Sequence, residues 1–378
     1  MLSGSLRGSR KSILLLGPRQ VGKSTLIRSL KPELEINLAV EAEYFHFQAE
    51  VSELEQRLAA TGVKTVFIDE IQRIPRLLNS IQALIDRDKK LKFYLTGSSA
   101  RKLKRGKANL IPGRVFSYAL APLCLAEAGR DWDEKLALQF GSLPEVTSLS
   151  SVADKKKILQ SYTNAYLKEE ILSEALVRQV DGFVRFLTQA GAQAGRYLDY
   201  SKLAARAKVP RQSVVRHFEI LEDTMIAHRV ENDPDLDPDQ VDLVKHPRFY
   251  FFDLGVLNAL RGTFDLGSDR IGALFEHLVF NQLFNSATAH AVDFRIHNFR
   301  TRGGLEVDFI LALEGRKVAI ECKASDHVSD VEIAPLRALS TYYKKMEKMV
   351  IYRGLRERKN QDVWILPLPR ALQVMGLL

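Results

Sequence analysis

Two groups of residues have the types and spacing to do chemistry. The first lies in GPRQVGKST, where Gly17 is followed by four variable residues and then Gly22, Lys23 and Ser24. In a loop of this pattern the backbone N–H groups cradle phosphates, the lysine reaches the β- and γ-oxygens, and the hydroxyl ligates Mg2+. The nucleotide-binding set expected here is Gly17, Gln20, Gly22, Lys23, Ser24 and Thr25, with Asp69 joining Ser24 in the Mg2+ shell. The second group lies in EVDFILALEGRKVAIECKAS, residues 306–325. Its pattern is two strands joined by a turn at Glu314-Gly315-Arg316. Glu321 and Lys323 are two apart and share a strand face, whereas Cys322 points the other way. Asp308, on the preceding strand, comes alongside them. Two carboxylates so placed offer oxygen ligands to Mg2+ or Mn2+, and a nearby ammonium stabilises a charged phosphorane or activates water. Glu276, upstream in the helical stretch GALFEHLVFNQLF, supplies a further ligand. The metal set expected over the whole chain is therefore Ser24, Asp69, Glu276, Asp308 and Glu321, with Lys323 as the catalytic cation of the second group.

The elements that must position the first group are legible around it. Ile13 to Leu16 form an apolar run, as a buried parallel strand requires, and a helical pattern with Leu26, Ile27 and Leu30 on one side follows the loop. In TVFIDEIQRIP a second apolar run ends on Asp69 and Glu70. At that strand end Asp69 holds the metal shell and Glu70 orients or deprotonates the attacking water. A third strand, KFYLTGSSARKL, ends in Thr96-Gly97-Ser98, with Ser98 the better candidate for a group that senses the γ-phosphate. Arg114 stands just before another strand and suits an arginine finger that reaches a neighbouring subunit's nucleotide; a surface salt bridge is the other reading. The intervening basic stretch ARKLKRGKANL is either a solvated turn or a pore lining that touches a phosphate backbone.

Residues 126–194 read as amphipathic helices, broken near Gly141 and Pro144. LDYSKLAARAKVPRQSVVRHFEILEDTMIAHRV then gives a short helix capped by Asp199 or Ser201, a turn at Lys208-Val209-Pro210, and a longer helix. Val214, Val215, Phe218 and Leu221 form the apolar stripe of that helix, and a strand follows at Ile226 to Val230. This is the pattern of a winged helix-turn-helix whose open face carries Arg211, Gln212, Ser213 and Arg216, the expected DNA contacts. The same fold also binds proteins. The acidic ENDPDLDPDQ that follows reads as a wing tip or a linker.

Composition agrees with this division. The 378 residues allow two or three domains, and a 46% hydrophobic and 27% charged make-up is that of an ordinary globular chain. A net charge of +9 favours a polyanionic partner such as nucleic acid. The two cysteines, Cys124 and Cys322, are far apart, which argues against a disulfide framework or a zinc knuckle and suits a reducing compartment. No apolar run reaches the roughly 18 residues of a membrane span. A cytoplasmic location is expected.

The segments GPRQVGKSTL, FIDEIQRIP, LTGSSARKL, GSLPEV, FYFFDLGVLNAL, GALFEHLVF and EVDFI…AIECKAS together resemble a bacterial and archaeal group of AAA-type ATPases with a C-terminal domain of unknown function. That domain looks like a PD-(D/E)XK nuclease, although the proline of the motif is missing here. The resemblance implies that Lys23, Ser24, Asp69, Glu70 and Ser98 carry ATP chemistry and that Glu276, Asp308, Glu321 and Lys323 form a nuclease-like site. The expected fold is α/β: a P-loop AAA-type core over residues 1–125, a helical lid over 126–194, a winged helix-turn-helix over 195–243, and a restriction-endonuclease-like α/β domain over 244–378. The expected function is ATP-driven DNA processing by an oligomer, a ring, on branched DNA such as Holliday junctions in recombination or repair. ATP and Mg2+ are the cofactors, and no membrane is involved. The alternative is a nucleotide-controlled DNA-binding switch with a catalytically silent terminal fold; a protein-remodelling ATPase is a third.

Overall fold

Strand β1 (Ser12–Leu16) is buried at every residue, so it must lie inside a sheet covered on both faces. In the computed structural model it is flanked by β4 (Lys92–Gly97) and β5 (Val115–Ala119), with β3 (Thr65–Asp69) and β2 (Leu34–Asn37) beyond β4. The order β2-β3-β4-β1-β5 is parallel throughout. Parallel strands bring their C-terminal ends to one edge, so the phosphate loop after β1 and the carboxylates after β3 meet on either side of the end of β4. The helix Leu77–Arg87 buries Leu77, Leu78, Ile81, Leu84 and Ile85, the spacing of one apolar face, against Ile68, Phe93 and Leu95 of the sheet.

The structure describes residues 2–50, 52–98, 112–166, 180–236, 241–343 and 345–378. The basic stretch expected as a turn or pore lining, residues 100–110, lies outside these residues. The chain divides into two compact units, one of residues 1–121 and 223–226 and the other of 122–222 and 227–378. The segments expected as lid, helix-turn-helix and terminal domain thus share the second unit, apart from residues 223–226.

That unit is built on a six-stranded sheet of order β12-β13-β11-β10-β9-β8. Its members are β8 (Phe294–Arg300), β9 (Glu306–Leu313), β10 (Arg316–Lys323), β11 (Glu347–Tyr352), β12 (Arg358–Asn360) and β13 (Val363–Pro367). Strands β9 and β10 form an antiparallel hairpin with Leu313 opposite Arg316. The two loop residues, Glu314 and Gly315, have φ of 47° and 82°, the left-handed pair that matches strand twist in a tight hairpin. The helix Ile271–His290 is buried nearly all round and packs on this sheet.

Asp199 caps the helix Tyr200–Ala207 by accepting from the N–H groups of Ser201 and Lys202 at 3.0 and 3.1 Å. Lys208, at φ 54°, closes that helix, and the helix Arg211–Asp223 follows Pro210. A small antiparallel pair, β6 (Ala227–Val230) and β7 (Arg248–Phe251), lies beside these helices, with Phe249 stacked on Phe218 at 4.1 Å. The described part of the acidic segment after β6, up to Leu236, is anchored. Asp233 is buried and binds Lys317 at 2.5 Å, and Leu236 and Val241 join the core of the six-stranded sheet.

Among the described residues, no helix is long and apolar enough to cross a membrane.

Candidate functional site

The phosphate loop begins where β1 leaves the sheet. Gly17 has no alternative there, since a Cβ would stand 2.3 Å from the Leu120 carbonyl oxygen. Gly22, at φ 92°, and Gln20, at φ 64°, turn the loop onto the helix Lys23–Arg28. The Lys23 ammonium is buried and donates to the carbonyls of Gly17 and Pro18 at 3.0 and 2.7 Å, both of its own loop. Thr25 is exposed at the first turn of the helix.

Across the end of β4, Ser24 Oγ donates to Asp69 Oδ2 at 2.7 Å, and Thr96 Oγ1 donates to Asp69 Oδ1. A buried carboxylate is thus fixed beside the hydroxyl with which it would share a metal. Glu70 follows at φ 59°, a left-handed turn that opens the short helical turn Ile71–Arg73. Gln72, in that turn, donates from Nε2 to the Glu70 carboxylate and, at 3.1 Å, to Ser98 Oγ. The structure therefore brings together Gly17, Gln20, Gly22, Lys23, Ser24, Asp69, Glu70 and Ser98. Sequence reasoning named Thr96 only as the end of a strand and passed over Gln72. The order of the sheet is the signal that would have singled them out.

Arg114 is not at this site. It precedes β5, and Val115 lies opposite Ser12, so it stands at the other edge of the sheet from the phosphate loop. A five-residue strand at about 3.3 Å per residue separates the two edges by roughly 15 Å. Arg114 bonds Asp86 there, with Nη2 to Oδ2 at 3.1 Å and Nε to Oδ1 at 3.3 Å. Within one chain Arg114 makes the surface ion pair of one reading; a finger that reaches a neighbouring subunit's nucleotide would have to leave Asp86.

The second group assembles around a residue that the sequence did not flag. In the β9–β10 pairing Phe309 faces Ile320, so the next pair along is Asp308 and Glu321, on one face. Asp308 Oδ2 accepts from the Cys322 N–H at 2.9 Å, and Lys323 Nζ donates to Glu321 Oε1 at 2.9 Å. Glu321 Oε2 is buried without a hydrogen-bond partner. Burial pushes Glu321 up to about 8, with the facing Asp308 adding to the effect and Lys323 opposing it. Burial also raises Asp308, against the pull of a guanidinium.

That guanidinium is Arg248, at the start of β7 and 4% exposed. It pairs with the Glu276 carboxylate, lies 4.0 Å from Asp308 Oδ1, and donates from Nε to the Gly195 carbonyl at 2.7 Å. Tyr250 also donates to Glu276, at 2.5 Å. Even so, burial pushes Glu276 up to about 7, with Arg248 holding it down. Glu276 Oε1 is thus already engaged by an arginine and a tyrosine, and the metal ligation expected of Glu276 gains no support from this arrangement. Among the described residues, no three histidine, cysteine, aspartate or glutamate side chains converge as a metal ion would require. Asp308 and Glu321 remain as the adjacent oxygen donors.

On the helix Arg211–Asp223, Arg211, Gln212 and Arg216 are exposed and Ser213 is half-buried. Lys202, Arg206 and Lys208 are exposed on the neighbouring helix and turn. The stripe Val214, Phe218 and Leu221 is buried as expected, and Val215 is half-buried.

Comparison with known proteins bears on the first unit most directly. Residues 9–129 match an AAA domain family, residues 132–267 a domain of unknown function (DUF8612), and residues 271–371 another (DUF4143). Uncharacterized proteins of Mycobacterium bovis and Mycobacterium tuberculosis are each 27% identical to the chain over 324 residues, spanning 82% of it and 70% of their own length. Among solved structures, a replication initiator DnaA bound to AMPPCP and single-stranded DNA aligns at 11% identity over 58% of this chain and 84% of its own, with a TM-score of 0.27. A signal transduction ATPase with a tetratricopeptide repeat sensor from Pyrococcus horikoshii aligns at 12% identity over 76% and 46%, with a TM-score of 0.23. At those scores neither likeness bears on the fold. The AAA domain match, the phosphate loop and the parallel sheet agree on an AAA-type P-loop ATPase core.

Proposed function

We propose that the chain is an ATP-hydrolysing enzyme that acts on DNA. The observation that carries the reading is the convergence of Lys23, Ser24, Asp69, Glu70 and Ser98 at one edge of the parallel sheet. On this reading Lys23 leaves its loop carbonyls for the β- and γ-phosphates, and Glu70 orients the attacking water. Ser24 and Asp69 would hold Mg2+, whose charge eases departure of the β-phosphate oxygen. The residues fit that ion, because the hydroxyl and carboxylate already lie within 2.7 Å.

The DNA part of the reading is supported by the exposed bases Arg211 and Arg216 on the longer helix, and by Lys202, Arg206 and Lys208 beside it. The favoured substrate is branched duplex DNA, engaged by an oligomer. The terminal domain is read as restriction-endonuclease-like, with Asp308, Glu321 and Lys323 as its working residues.

A second reading is favoured by Arg248. A guanidinium that already neutralises Glu276 and approaches Asp308 supplies the positive charge that a catalytic cation would bring. That suits a nucleotide-controlled DNA-binding switch whose terminal carboxylate site is silent. A labelled four-way junction incubated with protein, Mg2+ and ATP separates the two. Shortened strands that vanish with Asp308→Ala support cleavage. Intact strands exchanged into new duplexes, lost with Lys23→Ala, support a motor. Binding that responds to ATP without either change supports the switch, and no binding of any DNA refutes the DNA reading altogether.

A further inference from the structure

Neither the phosphate-loop pattern nor the paired carboxylates of β3 call for Gln72, yet it is buried at the centre of the first site with 4% exposure. Its amide nitrogen carries two hydrogens and uses both, one on the Glu70 carboxylate and one on Ser98 Oγ. Glu70 Oε2 is the atom engaged, which leaves Oε1 out of this bond. The amide oxygen of Gln72 is buried and has no hydrogen-bond partner. The amide is therefore held through its donor side, by the two groups it bridges.

Room for this arrangement comes from Gly97 at the end of β4. A Cβ at that position would stand 2.7 Å from Gln72 Oε1, closer than side chains approach. The φ of Gly97 is not among the positive values, so its backbone conformation is open to alanine. What the absent Cβ permits is the seat of the Gln72 amide.

We propose that Gln72 is a positioning residue for ATP hydrolysis, tying the carboxylate of Glu70 to the hydroxyl of Ser98. The inference rests on the reading of Glu70 as the group that takes the water proton and Ser98 as the γ-phosphate sensor. When Ser98 engages the γ-phosphate, the bridge turns Glu70 Oε1 toward the attacking water. As the water oxygen bonds to the γ-phosphorus, the bond to the β-bridging oxygen breaks and the water proton passes to Oε1. Without the bridge, Glu70 rotates freely and the same step is slower, while nucleotide binding is untouched.

The test compares wild type, Gln72→Met, Gly97→Ala and the double variant as full chains, by steady-state phosphate release, Mg-dependent binding of a fluorescent ATP analogue, and thermal unfolding. General-base catalysis contributes about 100- to 10,000-fold, so loss of its orientation in Gln72→Met lowers kcat by about 30-fold. Nucleotide affinity stays within about twofold, as expected when an interaction made only in the transition state is removed. Gly97→Ala, which pushes on the amide from the other side, lowers kcat by about 10-fold and adds nothing in the double variant, since both act through one side chain. Wild-type kcat in Gln72→Met overturns the proposal. So does a loss shared equally between kcat, nucleotide affinity and melting temperature, or a Gly97→Ala effect that multiplies that of Gln72→Met. If Gln72→Met fails to fold, Gly97→Ala decides alone, by lowering kcat at unchanged affinity or leaving it intact. Absence of hydrolysis by the wild type brings down the ATPase reading itself, a result distinct from equal rates in wild type and variant.

Discussion

Replacing Arg248 with methionine keeps the length and apolar volume of the side chain and removes its charge. The partners left behind are largely buried: Glu276 is 19% exposed and Asp308 14%. Removing one member of a buried ion pair costs about 3–5 kcal/mol, because the other charge is stranded. The bond from Nε to the Gly195 carbonyl, 2.7 Å long, adds about 1 kcal/mol. Together these give about 4–6 kcal/mol above neutral pH, a large share of the stability of one domain. The loss depends on pH, and the sign is fixed. Burial already pushes Glu276 up to about 7 while Arg248 pulls it down, so without Arg248 its pKa climbs further. A carboxyl whose folded pKa lies above its unfolded value binds an extra proton when folded, so its penalty is absent below about pH 4.5 and complete above the folded pKa. Arg248→Met is therefore much less damaging at pH 5 than at pH 8. Urea unfolding of Arg248→Met, Glu276→Gln and the double variant at both pH values reads this directly. At pH 8 the double variant should recover at least about 2 kcal/mol over Arg248→Met, since a neutral amide replaces the stranded charge. A cost below about 1 kcal/mol for Arg248→Met, or strictly additive variants, would refute the ion-pair account.

Other expectations follow from single contacts. Thr96→Val removes a donor to the Asp69 carboxylate; a bond to a charged group is worth about 1.5–3 kcal/mol, so Mg-dependent nucleotide affinity should fall by about 10-fold or more, measured by fluorescent-nucleotide titration. Burial lowers His277 to about 3 and His217 to about 4, both from 6.5, so their stability contribution is present above pH 6.5 and lost as pH falls through that window. The loss is about 2 kcal/mol per histidine at pH 5, and His277→Gln should flatten the decline in denaturant midpoint between pH 7 and 5. Arg211→Ala/Arg216→Ala should weaken DNA binding evenly across sequences and reduce the salt slope of log K by about 1 for each phosphate contact removed. Unchanged affinity in that variant would instead point the helix-turn-helix toward a protein partner.

The phosphate loop was legible because its whole pattern is local: Gly17 to Ser24 with a strand before and a helix after. That Asp308 comes alongside Glu321 was legible for a related reason, since strands joined by a short turn are neighbours. The register was not, because Arg316, expected in the turn, already pairs with Leu313. Arg248 was not, because it reaches Glu276 and Asp308 from a strand far away in sequence and is one of 55 lysines and arginines. The same holds for Arg114, whose partner Asp86 lies on a different element. Gln72 adjoins a recognised motif, but its meaning depends on β4 lying between β1 and β3, a fact of sheet order rather than of spacing. The acidic segment around Asp233 read as a wing tip or a linker from its prolines and charge. Asp233, buried and paired with Lys317, is what anchors its described part.

The central claim is that the first unit hydrolyses ATP with Glu70 acting on the water. Phosphate release by wild type and Glu70→Gln, alongside nucleotide binding by both, tests it most directly. The account predicts steady release by the wild type, and for Glu70→Gln retained Mg-dependent binding with release reduced by at least about 100-fold. Release by Glu70→Gln at the wild-type rate, or bound nucleotide that the wild type never hydrolyses, would contradict it.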